Sequence, residues 1–254
     1  ARRTDTTNNR MTAFGDNGTV PSSVKLKNCS YSNLAVSGAA RVGGFVGAIG
    51  SGSDSGIWVT DSNVIVGQNS TISSTADECI VGGAFGLAWS KIQVNVPQGE
   101  GDSYGVAQML GVTVRNNYAV ASVGKDESDN DKLRGTGGII GNAQVGCDVR
   151  NVRVAALSED AKVEVGGNVS GKIVQCVGGI VGQLNDKRRG DTSSSYSFDG
   201  IAVENATMKA VEGSGGLVGT IAAGINVDCS NVVISNVELG NTYSGGLAGG
   251  MLVI

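Results

Sequence analysis

The chain has 254 residues, of which 41 are glycine and 2 proline, with 40% apolar and 4% aromatic residues. Its 19 basic and 23 acidic residues leave a net charge of −4 and form no Lys/Arg stripe, which argues against a nucleic-acid partner. Histidine is absent, so Ser-His-Asp and Cys-His catalysis, HExxH zinc chemistry and His-based proton transfer are excluded from this chain.

Abundant glycine without proline is neither collagen-like nor that of a disordered linker. The apolar residues are mainly Val, Ile, Ala and Leu, small or β-branched side chains that suit closely stacked strands. No apolar run reaches the roughly 20 residues of a membrane helix. The start, Ala1-Arg2-Arg3-Thr4, has neither an initiator Met nor an apolar signal core and reads as the start of a processed or excised piece. Residues 1–23 are expected to be an extension or cap, and residues 24–254 an array of repeats.

Six boxes follow one another along the array. They are Gly43-Gly44-Phe45-Val46-Gly47, Gly82-Gly83-Ala84-Phe85-Gly86, Gly137-Gly138-Ile139-Ile140-Gly141, Gly178-Gly179-Ile180-Val181-Gly182, Gly215-Gly216-Leu217-Val218-Gly219 and Gly245-Gly246-Leu247-Ala248-Gly249. Their first glycines lie 30 to 55 residues apart. A second box, apolar-x-(Asn/Asp/Cys), alternates with them as Leu26-Lys27-Asn28, Val59-Thr60-Asp61, Val114-Arg115-Asn116, Val149-Arg150-Asn151, Val203-Glu204-Asn205 and Val227-Asp228-Cys229.

In the shortest unit the period-2 pattern predicts strands over 217–221, 225–229 and 232–239, with corners at 222–224 and 240–242. Asx and Gly suit such corners because they tolerate left-handed backbone. The expected fold is therefore all-β, a right-handed parallel β-helix of about six coils with three short strands each. A six-bladed β-propeller is the alternative, but a 30-residue unit is short for four strands.

The repeated Gly-Gly-(Leu/Ile/Phe)-Val-Gly box resembles the GLUG motif, over roughly residues 24–254. Gly82-Gly83-Ala84-Phe85-Gly86 departs by exchanging the sizes of its two apolar residues. The resemblance implies an extracellular, repetitive β-helical element of bacterial surface and adhesin-like proteins, with no catalytic residue to carry over. The expected function is thus a non-catalytic structural or adhesive module at the cell surface.

Three stretches between boxes exceed what a coil needs: Gly50–Gly56, Leu87–Val112 and Gln183–Ile201. If the coils are in register, all three leave at one corner and form the candidate binding face, for a glycan or host protein. The last contains Arg189-Gly190-Asp191, an integrin-type tripeptide that a solvated charged loop explains as well, and then Tyr196 and Phe198, displayed aromatics or simply core. Lys125–Lys132 gathers Asp126, Asp129 and Asp131. Those oxygens suit Ca²⁺, but the spacing is not that of an EF-hand and a solvated acidic loop is the plainer reading. No other cofactor is implied.

Five cysteines at 29, 79, 147, 176 and 229 include no CxxC pair and read as small buried hydrophobes. Sequons at Asn17, Asn28, Asn69, Asn168 and Asn205 fall in Asx-rich turns, where corner chemistry suffices. A polysaccharide-active enzyme is disfavoured: there is no Asp-Asp pair and no His, and the acids are expected in loops. The last stretch, Leu247–Ile254, is an apolar repeat without a polar cap, so further polypeptide or another subunit is expected there, as in a stalk or filament.

Overall fold

The computed structural model describes residues 25–49, 57–59, 64–76, 79–100, 102, 104–116, 135–167, 175–184, 195–210, 212–222, 224–240 and 243–251. Among them there is no helix, and every strand pairing is parallel, in one eleven-stranded and two six-stranded sheets. Parallel pairing between successive repeat units makes the fold a parallel β-solenoid of six rungs, and leaves no place for the antiparallel blades of a propeller. At about 4.8 Å per rung the stack rises by about 29 Å.

The last two rungs contain three hydrogen-bonded strands each, though not those expected from the pattern, and in the earlier rungs the wall strand is divided into shorter ones. The last rung consists of Val227–Leu239, Ser244–Gly245 and Ala248–Met251. The long strand forms the outer wall. It is bent twice by single residues in the left-handed region, and these mark two corner columns. The first holds Asn28 (φ 50°), Asn95 (58°), Asn151 (47°), Gly200 (67°) and Asn231 (51°). The second holds Asn33 (51°), Asn69 (45°), Gly111 (64°), Asn205 (50°) and Asn236 (50°).

Burial follows the bends. Along Tyr196–Lys209, inward and outward residues alternate, and the alternation restarts after Gly200 and again after Asn205. The wall therefore has three short segments per rung, five residues from corner to corner. Neighbouring corner amides bond along the column, Asn69 Nδ2 to Asn33 Oδ1 (2.8 Å) and Asn236 Nδ2 to Asn205 Oδ1 (2.6 Å). Asn pays less than other side-chain-bearing residues for left-handed backbone, which is why it shares these sites with Gly.

The apolar-x-Asx box marks no single corner. Asn28 and Asn151 turn the first corner and Asn205 the second. Asn116 is buried and donates to the Cys79 carbonyl, while Cys229 lies within the last wall strand, level with Phe198. Asp61 lies outside the described residues.

The Gly-Gly boxes shape the interior. Each ends one short strand and starts another, as in Gly135–Gly137 and Ile140–Ala143 or Glu212–Gly215 and Val218–Ile221. The two strands of a box do not pair with each other; each pairs with its counterparts in neighbouring rungs. They form an arch that folds inside the wall. Phe85–Ala88, Ile140–Ala143, Val181–Leu184 and Val218–Ile221 are buried at every position, whereas wall strands alternate.

The three glycines of a box act differently. A Cβ on the first would meet the backbone of its own arch, as at Gly137, 2.0 Å from the Ile140 carbonyl oxygen. A Cβ on the second would strike the next rung, as at Gly138 (2.1 Å from Gly179 O) and Gly179 (2.1 Å from Gly216 O). The third lies against the first sheet of an adjacent rung, with Gly182 2.2 Å from Thr136 N by the same measure. The two arch sheets thus touch backbone to backbone, far closer than the roughly 10 Å of sheets separated by side chains.

The arch tips abut the middle wall segment: the Cβ direction of Gly138 faces Val154, that of Gly179 Val203 and that of Gly216 Ile234. Tip amides are satisfied along the axis, with Gly138 N donating to Gly178 O (3.1 Å) and Ile139 N to Ile180 O (3.0 Å). Apolar side chains fill the space between arch and wall, including Phe85, Leu184, Tyr196 and Phe198. The exchanged sizes in the second box are explained here. Phe45 in the first box packs with Phe85 (centroids 6.4 Å apart), where the second box has Ala84 at the position equivalent to Phe45.

Gly179→Ala is expected to cost about 3 kcal/mol or more, because backbone in the next rung must move. Gly246→Ala, with nothing within 4 Å of the added atom, should stay within about 0.5 kcal/mol. Urea denaturation measures both. In the same assay Asn205→Ala should lose about 1 kcal/mol through left-handed strain, and Asn205→Gly less than half of that.

Candidate functional site

The outer wall carries its charge in ladders that run from rung to rung. Arg153 Nε donates to Glu204 Oε2 (2.7 Å). Glu164 accepts from Lys209 Nζ (2.6 Å) and Arg115 Nε (3.1 Å). Asp148 accepts from Arg150 Nε (3.0 Å) and Ser197 Oγ (2.9 Å), and Asp199 from Ser230 Oγ and Asn231 Nδ2, both at 2.7 Å. These acids are on strands, which corrects the expectation that they occupy loops. Apart from Asp148 with Arg150, register brings together groups 31 to 51 residues apart, so sequence spacing could not reveal those pairs.

Burial pushes the Glu164 carboxyl up, but Lys209 and Arg115 outweigh it and hold the group below its ordinary value. Hydrogen bonds from Ser230 and Asn231 likewise lower Asp199. Tyr31 is raised by burial, its hydroxyl donating to the Gly83 carbonyl at an arch tip (2.7 Å). At the foot of the first two arches the Arg41 guanidinium lies 4.8 Å from the Trp89 ring centroid, and burial lowers its pKa.

One loop departs from the wall among these ladders. In the fourth rung two residues, Arg150 and the left-handed Asn151, join the first and middle wall segments; in the third rung the same corner expands to residues 95–106. Its base is fixed by buried Asn95, whose Nδ2 donates to Gly105 O across the loop (2.7 Å) and to Asn151 O of the next rung (3.1 Å). Val96 is buried beneath it. Asp102 accepts from Gly99 N (2.8 Å) and from the Tyr104 hydroxyl (3.1 Å), which braces the exposed residues Gln98, Gly99, Glu100 and Asp102.

Residues 95–106 leave between the first and middle wall segments. Gly50–Gly56, Arg189, Gly190 and Asp191, and Asp126, Asp129 and Asp131 lie outside the described residues. Tyr196 is no displayed aromatic: with Phe198 it faces the core, each 1% exposed, in a column with Ile92, Cys147 and Val227.

Among the cysteines, 79, 147 and 176 are buried as expected, Cys29 is partly covered and Cys229 is exposed; all five are free thiols. Burial raises the Cys147 thiol well above its usual range. Of the sequon residues, Asn28, Asn69 and Asn205 are left-handed corners. Among the described residues no group of three His, Cys, Asp or Glu is placed to hold a metal ion.

No protein-family model, no curated protein and no solved structure matches the chain.

Because the folded Glu164 carboxylate titrates below the unfolded one, its stabilisation is full above about pH 4.3 and fades as pH falls through the lowered value. Glu164→Gln should therefore lose about 1 kcal/mol at pH 7, and the gap to the parent should narrow as pH falls below the ordinary Glu value of about 4.3 in denaturation curves.

Proposed function

We propose that the chain is a non-catalytic structural and adhesive module of an extracellular or cell-surface protein, a GLUG-like solenoid that displays loops for binding. The observation that carries this reading is the loop at 95–106. A corner that two residues turn in the next rung is expanded, anchored by buried Asn95 and braced by Asp102. Rigid scaffolds with ordered, exposed loops suit recognition, since little ordering entropy remains to be lost on binding. The resemblance of the six boxes to the GLUG motif supports the surface location, and a glycan or host protein is the proposed ligand class.

The test replaces residues 95–106 by Arg-Asn, the dipeptide that joins the same segments at Arg150-Asn151. Glycan-array and matrix-protein binding should be lost while circular dichroism and the unfolding midpoint stay near the parent's. Binding that survives the replacement would remove this loop from the function.

A further inference from the structure

We infer that the middle wall face, between two expanded corners, docks an extended basic segment of a partner protein. This deepens the loop reading and rests on it, because residues 95–106 form one bank of the site. The other bank is the second corner of the fourth rung. There residues 156–162 occupy the place that Asn205 alone fills in the next rung.

This corner is built to hold an apolar side chain outward. Leu157 is 50% exposed and rests on Gly111, where a Cβ would come within 2.5 Å of Leu157 Cγ. Gly111 stands in the column where Asn33, Asn69, Asn205 and Asn236 have asparagine, so the column turns to glycine where Leu157 lies on it. Ala161 N donates to Ser158 O (3.2 Å) across the tip, and Lys162 at the far end donates to Glu238. An exposed apolar residue held in place by its supports suits a contact with a partner.

Charge selects the partner. Residues 95–106 hold Glu100 and Asp102 and no cation; residues 156–162 hold Glu159 and Asp160, and their Lys162 is engaged by Glu238. All four acids are exposed, and among the described residues none has an ion-pair partner. Lys27, whose charge reaches the Tyr104 hydroxyl, stands in the first rung, on the side of the loop away from the fourth. Between the banks, the outward positions of the third to fifth rungs are Gln108, Leu110, Arg153, Ala155, Ala202 and Glu204. Their one base and one acid pair with each other. The face thus presents four uncompensated carboxylates around a floor that is neutral and partly apolar. It attracts cationic partners and repels acidic ones, while a neutral glycan gains nothing from these charges. Spread over two corners, the acids do not gather as a metal site.

The floor also decides how a partner binds. Cys147–Ala155 pairs with the third rung on one side and with Tyr196–Lys209 on the other, so no further strand can join it. Contact is therefore through side chains. Five residues from corner to corner span about 16 Å, so an extended segment of about six residues reaches both banks.

Fluorescence anisotropy of the full chain tests this with a labelled heptapeptide of Lys around a central Leu. Its Glu-for-Lys counterpart and neutral and uronic-acid oligosaccharides are the competitors. The Lys peptide alone should bind, and more weakly as ionic strength rises. Glu159→Gln combined with Asp160→Gln should weaken it about tenfold, and Leu157→Ser about threefold, with circular dichroism unchanged. Asp228→Asn, at an exposed acid of the first wall segment, should change nothing. No binding of the Lys peptide, an equal loss in Asp228→Asn, or preference for an oligosaccharide overturns the inference. The two readings fail separately. Oligosaccharide binding that disappears when residues 95–106 are replaced keeps the loop and overturns the basic partner. Lys-peptide binding that survives the replacement overturns the loop reading and the two-bank site with it.

Discussion

The structure depends on backbone meeting backbone inside the wall. A solenoid of this girth needs its interior filled, and large side chains are the usual means. Here the chain itself is the filler: each Gly-Gly arch enters the wall and lays two sheets in contact, without the side-chain layer that normally separates sheets. That arrangement requires hydrogen in place of Cβ at three positions per rung, for three reasons: closure of the arch, stacking on the next rung, and contact with the sheet beside it. It also explains the composition. With little volume left between arch and wall, Val, Ile, Ala and Leu suffice, and the few aromatics gather where room remains, as Phe45 and Phe85 do.

Buried arches would be untenable if their backbone groups went unpaired. Parallel stacking provides the partners, since each tip amide donates to a carbonyl of the adjacent rung. Several polar side chains of the interior are paired in the same way. Asn142 Nδ2 donates to Gln183 Oε1 (2.7 Å) and Gln144 Nε2 to Asn142 Oδ1 (2.9 Å), while Asn116 joins Ser74, the Cys79 carbonyl and Thr136. The outer face repeats the principle with charges, in Arg153 with Glu204 and Glu164 with Lys209. Ordering along the axis therefore governs backbone, core and surface alike.

The repeat and the class of fold were legible in the sequence because both rest on local chemistry. Six boxes with glycine at fixed places announce six rungs. Their position in the cross-section was not legible: nothing in Gly137-Gly138-Ile139-Ile140-Gly141 says that the turn points inward rather than lying at an outer corner. The true corners did leave a trace, the five-residue spacing of Asn28 and Asn33, Gly200 and Asn205, Asn231 and Asn236. The apolar-x-Asx pattern blurred it by mixing Asn28 with Asn205 and admitting Cys229. Tyr196 illustrates the complementary difficulty. Alternation placed it on a face with Phe198, but only the left-handed bend at Gly200 fixes which face is inside. For the loop at 95–106 length alone was visible, and its anchoring through Asn95 depends on Asn151 of another rung.

The second glycine of the four middle boxes touches only the adjoining rung, and the ladders of Arg153 with Glu204 and Glu164 with Lys209 likewise join neighbours. Removing or duplicating one whole coil therefore leaves the backbone ladder and the Gly-Gly stacking of the remaining coils of the same kind in place. The length of such a molecule is thus a quantity adjustable in steps, with about 4.8 Å for each coil. The fold behaves as a ruler whose graduations are the Gly-Gly boxes. Lineages that gain or lose a repeat change the reach of whatever the rod carries without redesigning its interior.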